Sequence, residues 1–154
     1  VSGIYLIIRI FANKKHMNKI ILTLALFFVA LNATGQDTIF NGKIVNSEYN
    51  IYLCMNFYNP SIVVPGQSVF GKLPGYIGTT KSNYVWLITS AKITDKNTAS
   101  LSLINDYGSE DLTCTLIFNA DSTYTLKQED GATLKIVADR KYVKIPKSII
   151  LKRK

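Results

Sequence analysis

Hydrophobic and polar residues alternate with a period of two along most of the chain beyond residue 50. In NIYLCMNFY, from Asn50 to Tyr58, every second side chain from Ile51 to Phe57 is apolar and falls on one face. Such alternation, rich in β-branched and aromatic residues, is typical of a strand that is buried on one side. The pattern recurs in YVWLITSAKI, TASLSLI, LTCTLIF, STYTLKQ, ATLKIVA and KYVKI.

Short turn sequences separate these segments. DKN, NDYGSE, NAD, EDG and DR hold the Asp, Asn and Gly residues that tolerate turn dihedrals. Strands joined by short turns pair as antiparallel neighbours, so the sequence predicts an all-β antiparallel meander of about eight or nine strands. Closure into a small barrel is the first prediction, and a two-sheet sandwich is the alternative. The predicted core comprises Leu53, Phe57, Leu101, Leu103, Leu112, Leu116, Phe118, Leu126, Leu134 and Ile136.

The stretch MNKIILTLALFFVALNATGQ, upstream of the strands, has the three parts of a secretory signal. Lysines at positions 14, 15 and 19 precede an apolar run over 20–31, and Ala33 and Gly35 form a small-x-small cleavage pair. The run is shorter than the about 17 to 25 residues of a transmembrane helix. We therefore expect a signal peptide over 17–35, cleavage before Gln36, a periplasmic or secreted product and no stable membrane span after cleavage.

Residues 1–16 are interpreted as upstream sequence from a start codon assigned too early, which leaves 36–154 as a single β domain. Four of the eighteen basic residues and none of the ten acidic ones precede Gln36, so the net charge falls from +8 for the chain to +4 for the domain. Seven of the remaining basic residues lie in 140–154, where they are interpreted as guarding an edge strand. This balance does not favour nucleic-acid binding.

The predicted domain lacks the residues of the common catalytic and metal sites. The single histidine, His16, lies before it, which excludes Ser-His-Asp and Cys-His mechanisms and the usual zinc sites. No phosphate-binding or dinucleotide motif is present, so no cofactor or metal is expected. The carboxylates of NDYGSED, including Asp106, are interpreted as a hairpin turn, and a carboxylate hydrolase is the weakest of the three functional classes considered.

Residues 59–83 break the alternation, since three of the four prolines and four glycines lie there. The segment is interpreted as a crossover at one end of the barrel and as a recognition loop, because long ordered loops on rigid scaffolds commonly carry binding. The predicted binding residues are Phe70, Leu73, Tyr76, Ile77 and, within the aromatic set that includes Tyr52 and Tyr107, Trp86.

Cys54 and Cys114 lie in predicted strands of a protein expected in an oxidising compartment. A disulfide between them is one interpretation. The alternative is two free thiols, because Cys114 shares a face with Leu112 and Leu116 whereas Cys54 lies on the face opposite Leu53.

The segment TLIFNADSTYTLKQ, from Thr115 to Gln128, resembles a hairpin phrase of small exported β-barrel proteins of Bacteroidetes. Such proteins are often lipocalin-like, and the size and meander are also similar to periplasmic lysozyme-inhibitor barrels. Ser122 stands where the phrase usually has Gly, and the early G-x-W of true lipocalins is absent.

The sequence thus predicts an exported, non-catalytic binding protein whose partner lies in the cell envelope. The first hypothesis is a protein-binding or inhibitor-type module that uses the loop 59–83. The alternative is a lipocalin-like binder of a small ligand or glycan.

Overall fold

The computed structural model describes Thr38–Lys154, which form one compact unit. The expected upstream segment 1–16 and signal peptide 17–35 lie outside the described residues, as do positions 36 and 37. Within Thr38–Lys154, no helix is long and apolar enough to span a bilayer.

The described part of the chain is built from strands, as predicted. Eight of them close into an antiparallel barrel in the order β1, β12, β9, β8, β7, β6, β5 and β2. The barrel prediction is confirmed, and the sandwich alternative is wrong. The strands are β1 (Asn41–Asn46), β2 (Ile51–Asn56), β3 (Ile62–Val63), β4 (Lys72–Leu73), β5 (Gly75–Thr79), β6 (Val85–Asp95), β7 (Thr98–Asn105), β8 (Asp111–Phe118), β9 (Thr123–Gly131), β10 (Lys135–Ala138), β11 (Lys141–Lys144) and β12 (Ser148–Arg153).

Apolar side chains fill the barrel interior. The alternate residues of β2 and β7 point inward, and even the largest side chains, Trp86 and Tyr124, are no more than 1% exposed. Nine of the ten predicted core residues are buried, and Phe118 is half-buried against the Tyr124 ring, with 5.0 Å between centroids. The hydrophobic effect of this enclosed layer is the main stabilising contribution to the fold.

The hairpin of β10 and β11 plugs one end of the barrel instead of extending the meander; we call it the plug hairpin. Leu134 and Ile145 flank it and are buried in the core. The buried Gln128 amide binds both flanks, since its oxygen accepts from Leu134 N at 2.6 Å and its nitrogen donates to Ile145 O at 3.1 Å. Trp86 Nε1 donates to Lys135 O at 2.9 Å. The hairpin is therefore fastened from inside the barrel.

The other end is closed by aromatic rings and by Arg153. Phe40 stacks on Phe57 with 5.8 Å between centroids. The Tyr124 hydroxyl donates to Ile39 O at 2.6 Å, and Arg153 Nη2 donates to that hydroxyl at 2.9 Å. Both ends of the barrel are thus occupied by the chain itself.

The segment 59–83 folds back over the outside of the barrel. β3 pairs with β4 around a 3-10 turn at Ser68–Phe70, and the segment buries Val64 against β5 and β6. Together they form a second apolar cluster, the outer cluster, which comprises Val64, Tyr76, Val85 and Leu87. Since β5 is covered on both faces, all five of its residues are buried.

The two cysteines lie on opposite faces of the barrel wall. Cys114 is part of the interior core, whereas Cys54 packs on the outer cluster, and both thiols are free. The disulfide interpretation is therefore wrong, because a bridge would have to pass through the wall. Burial raises the pKa of Cys114 to about 12, so this thiol remains protonated.

Two glycines let β5 approach its neighbours closely. A Cβ on Gly75 would lie 2.2 Å from Cys54 O in β2, a backbone atom that cannot move aside. A Cβ on Gly78 would lie 2.6 Å from Cζ of Tyr52, at the outer end of a side chain. The first glycine is required by the barrel wall, and the second makes room for one ring.

We expect Gly75→Ala to lower the free energy of unfolding by about 2 kcal/mol, because overpacking against fixed atoms costs about 1–3 kcal/mol. Urea unfolding followed by tryptophan fluorescence measures the change. Gly78→Ala is the matched control and should lose less, since the Tyr52 ring can swing away. Equal losses in the two variants would contradict this distinction.

Candidate functional site

The main concave feature of the outer wall is a pocket of about 690 Å³ beneath the tip of the 59–83 segment; we call it the loop-tip pocket. It lies between the turn at 65–67 and the turn that joins β5 to β6. Nine of its twelve lining residues come from 59–83, the segment that the sequence singled out. The lining comprises Tyr52, Pro65, Gly66, Gln67, Tyr76, Thr79, Thr80, Lys81, Ser82, Asn83, Val85 and Asp106.

Two tyrosines supply the aromatic part of the pocket. The rings of Tyr52 and Tyr76 meet edge to face, with 5.8 Å between centroids. Tyr52 lies over Gly78, whose missing side chain leaves space for the ring. Burial raises the pKa of Tyr76 well above its ordinary value, so its hydroxyl remains protonated. The pocket therefore offers aromatic surface together with neutral hydroxyl groups.

Hydrogen bonds hold the turn after β5 in place. Thr79 Oγ1 donates to Asn50 O at 3.0 Å and accepts from Lys81 N at 3.2 Å. Among the described residues, the side-chain polar groups of Gln67, Lys81 and Asn83 have no hydrogen-bonding protein partner. A fixed backbone thus presents unengaged donors and acceptors to the pocket.

Asp106 supplies the least satisfied polar group of this pocket. Its backbone N donates to Val85 O at 3.1 Å, which positions the residue against β6. Its Oδ1 is buried and has no hydrogen-bond partner within the described residues. Burial raises the pKa of this carboxyl group above the ordinary 3.8. An unpaired buried acceptor is costly, and a ligand that donates a hydrogen bond would remove that cost.

A second, smaller cavity of about 390 Å³ lies beside the first; we call it the basic cavity. It is lined by Lys43, Val45, Asn46, Ser47, Asn50, Ile51, Tyr52, Thr80, Arg153 and Lys154. Tyr52 and Thr80 therefore line both cavities. Lys43 Nζ lies 4.1 Å from the centroid of the Tyr52 ring, within the range of a cation–π contact.

The structure does not bring the five predicted binding residues into one surface. Ile77 and Trp86 are each 1% exposed inside the barrel, so neither presents a surface to a ligand or partner. Tyr76 lines the loop-tip pocket, Leu73 is half-buried against the outer cluster, and Phe70 is exposed on the 3-10 turn.

Sequence reasoning missed the importance of Asp106 and of the turn at 79–83. In the sequence, Asp106 belongs to a polar turn like several others, and only the fold shows that its oxygen is buried. Tyr52 belonged to the predicted aromatic set, but its place between two cavities carried no sequence signal. Within Thr38–Lys154, no three His, Cys, Asp or Glu side chains cluster closely enough to hold a metal ion.

We expect Asp106→Asn to raise the melting temperature by a few degrees at neutral pH. The raised pKa means that the folded state favours the protonated carboxyl, so this stability is present below pH 3.8 and is lost as pH rises through the folded pKa. Asn cannot ionise and avoids that loss, so the two proteins should converge only at acidic pH. Thermal melts across pH test this, with the exposed Asp130→Asn as control. A lower melting temperature for Asp106→Asn at neutral pH would contradict the interpretation.

No known protein family, curated protein or solved structure matches this chain.

Proposed function

We propose that this is an exported, non-catalytic binding protein that holds a hydroxyl-rich ligand, such as a glycan unit, in the loop-tip pocket. The single observation that carries the proposal is the buried, unpartnered Asp106 Oδ1 in a pocket of about 690 Å³ with polar and tyrosine lining. A pocket of this size is within the range of small-ligand sites, about 300–1,000 Å³.

The filled interior supports a site on the outer wall. Trp86, Tyr124 and the leucines of β7 occupy the space where a barrel would otherwise hold a ligand. The plug hairpin and the ring pair of Phe40 and Phe57 cover the two ends. A ligand inside the barrel, as the lipocalin-like alternative would require, is thus disfavoured relative to one bound outside.

The lining chemistry supports a sugar. Tyrosine rings present apolar faces of the kind that pack on the C–H faces of pyranose rings, while their hydroxyls remain polar. Carboxylate and amide groups such as those of Asp106, Asn83 and Gln67 bond to hydroxyl donors and acceptors. A hydroxyl of the ligand would supply the donor that Asp106 lacks. Export follows from the signal pattern over 17–35, and a partner in the cell envelope is consistent with it.

We expect wild-type protein to bind members of a panel of short oligosaccharides, and Asp106→Asn and Gly78→Ala to bind them at least about tenfold more weakly. The first variant removes a charged acceptor, whose hydrogen bond contributes about 1.5–3 kcal/mol, and the second displaces the Tyr52 ring. Titration followed by amide chemical shifts measures affinity and locates the site.

Val69→Ser is the matched control, because Val69 is 86% exposed and lies outside the pocket. Its affinity for sugars should equal that of the wild type. A stabilised Asp106→Asn variant that still binds at full strength would count against the proposal, as would shifts confined to other surfaces.

A protein partner is the second candidate, favoured by exposed apolar residues on the same segment. Val63, Val69 and Phe70 are 55%, 86% and 41% exposed, respectively. Contiguous exposed apolar side chains on a loop are a common feature of interaction sites. This surface lies on β3 and the 3-10 turn and uses none of the residues that line the pocket.

If a protein partner binds there, the double variant Val69→Ser, Phe70→Ser should lose at least about tenfold in affinity, because buried apolar anchors dominate interface energetics. Pull-down from envelope and secreted fractions identifies a partner, and biolayer interferometry with the purified partner measures the loss. Asp106→Asn is the control and should bind this partner normally. Capture that is indifferent to the double variant would exclude this surface.

A further inference from the structure

We infer that the ligand of the loop-tip pocket carries an acidic group, a carboxylate or phosphate, which binds in the basic cavity. This inference rests on the proposed function, since it deepens the choice of ligand for that site. It assigns the protein to an acidic glycan in which neutral, hydroxyl-rich units lie next to a charged one.

The two cavities are adjacent parts of one surface. Tyr52 and Thr80 line both, so a ligand longer than one sugar unit would pass over the Tyr52 ring from one cavity into the other. Lys43 Nζ stands 4.1 Å from the centroid of that ring, on the path between the cavities. The ring thus separates a polar compartment from a cationic one.

Positive charge dominates the basic cavity. Its lining contains Lys43, Arg153 and Lys154 and no acidic side chain. Arg153 donates to the carbonyls of Thr38, Ile39 and Asn41 and to the Tyr124 hydroxyl, all of them neutral acceptors. Within the described residues, no ion pair involves these three cations. An anion entering the cavity would find a charge that the surrounding side chains leave unneutralised.

The pairing of β12 removes the simpler explanation for this charge. Basic residues near a strand often guard a free edge, and the sequence favoured that interpretation. In the structure, however, β12 pairs with β1 on one side and with β9 on the other. No free edge is left there to guard, so the cations beside it are available for another role.

Asp106 narrows the class of acidic ligand. A polymer with a phosphate on every unit, such as a nucleic acid, would place negative charge in the pocket that contains this carboxylate. Like charges in a partly desolvated site repel each other, so such a polymer is disfavoured. A glycan with a neutral unit beside an acidic one satisfies both cavities.

The test compares three disaccharides that share a neutral N-acetylglucosamine unit. The first carries a glucuronate, the second its methyl ester, and the third a phosphate in place of the carboxylate. We expect at least one acidic disaccharide to bind wild-type protein about tenfold more tightly than the ester, as a charge-assisted hydrogen bond would give. That preference should shrink in high salt. Which acid binds distinguishes a carboxylate from a phosphate ligand.

Lys43→Gln should reduce the preference for the acid several-fold and leave the affinity for the ester unchanged, while Lys43→Arg should retain the preference. Lys92→Gln, at an exposed lysine of β6 outside both cavities, is the matched control and should behave like the wild type. Equal binding of acid and ester would overturn the acidic ligand and leave the pocket proposal standing. Binding of none of the three would overturn both. An acid preference that ignores Lys43 would also overturn the assignment to this cavity.

Discussion

The pairing of β1 with β12 closes the sheet, and the rest of the structure depends on it. Ile44 and Val45 lie opposite Arg153 and Lys152, so the first and last strands of the described chain complete the barrel. Without this pairing both strands would present unpaired backbone groups at an edge. Arg153 reinforces the closure, because its guanidinium binds the backbone carbonyls that precede β1. Closure surrounds an interior that side chains fill, and recognition is left to the outer wall.

The outer wall acquires a site because the chain covers one side of the barrel twice. The 59–83 segment leaves the barrel after β2, packs Val64 on the outer cluster and returns as β5. Its tip ends short of the turn that follows β5, and the space between them is the loop-tip pocket. The glycines of β5 contribute in a different way, since the strand can lie close to β2 and still leave room for the Tyr52 ring. Packing that stabilises the loop therefore also shapes the site.

Alternation and turn chemistry were sufficient to predict the barrel strands and most of the core, because a strand with one buried face shows its orientation in the sequence. The same signal failed for β5, where a second layer buries Tyr76 as well as Ile77 and removes the contrast between faces. It also placed β10 and β11 in the meander, because a plug hairpin alternates like any other. What separates it from the barrel is the Gln128 amide, a contact between distant residues that no local pattern records. The burial of Asp106 depends on tertiary structure in the same way.

The Gln128 amide has a consequence for how the protein loses structure. It is the only side chain of the described residues that binds the backbone on both flanks of the plug hairpin, and it does so within an apolar interior. Detaching the hairpin alone would leave that amide and its partners without hydrogen bonds before water could reach them. Partial opening at this end is therefore penalised, and the hairpin and barrel should melt as one cooperative unit, with backbone amides in the hairpin exchanging at the rate of global unfolding.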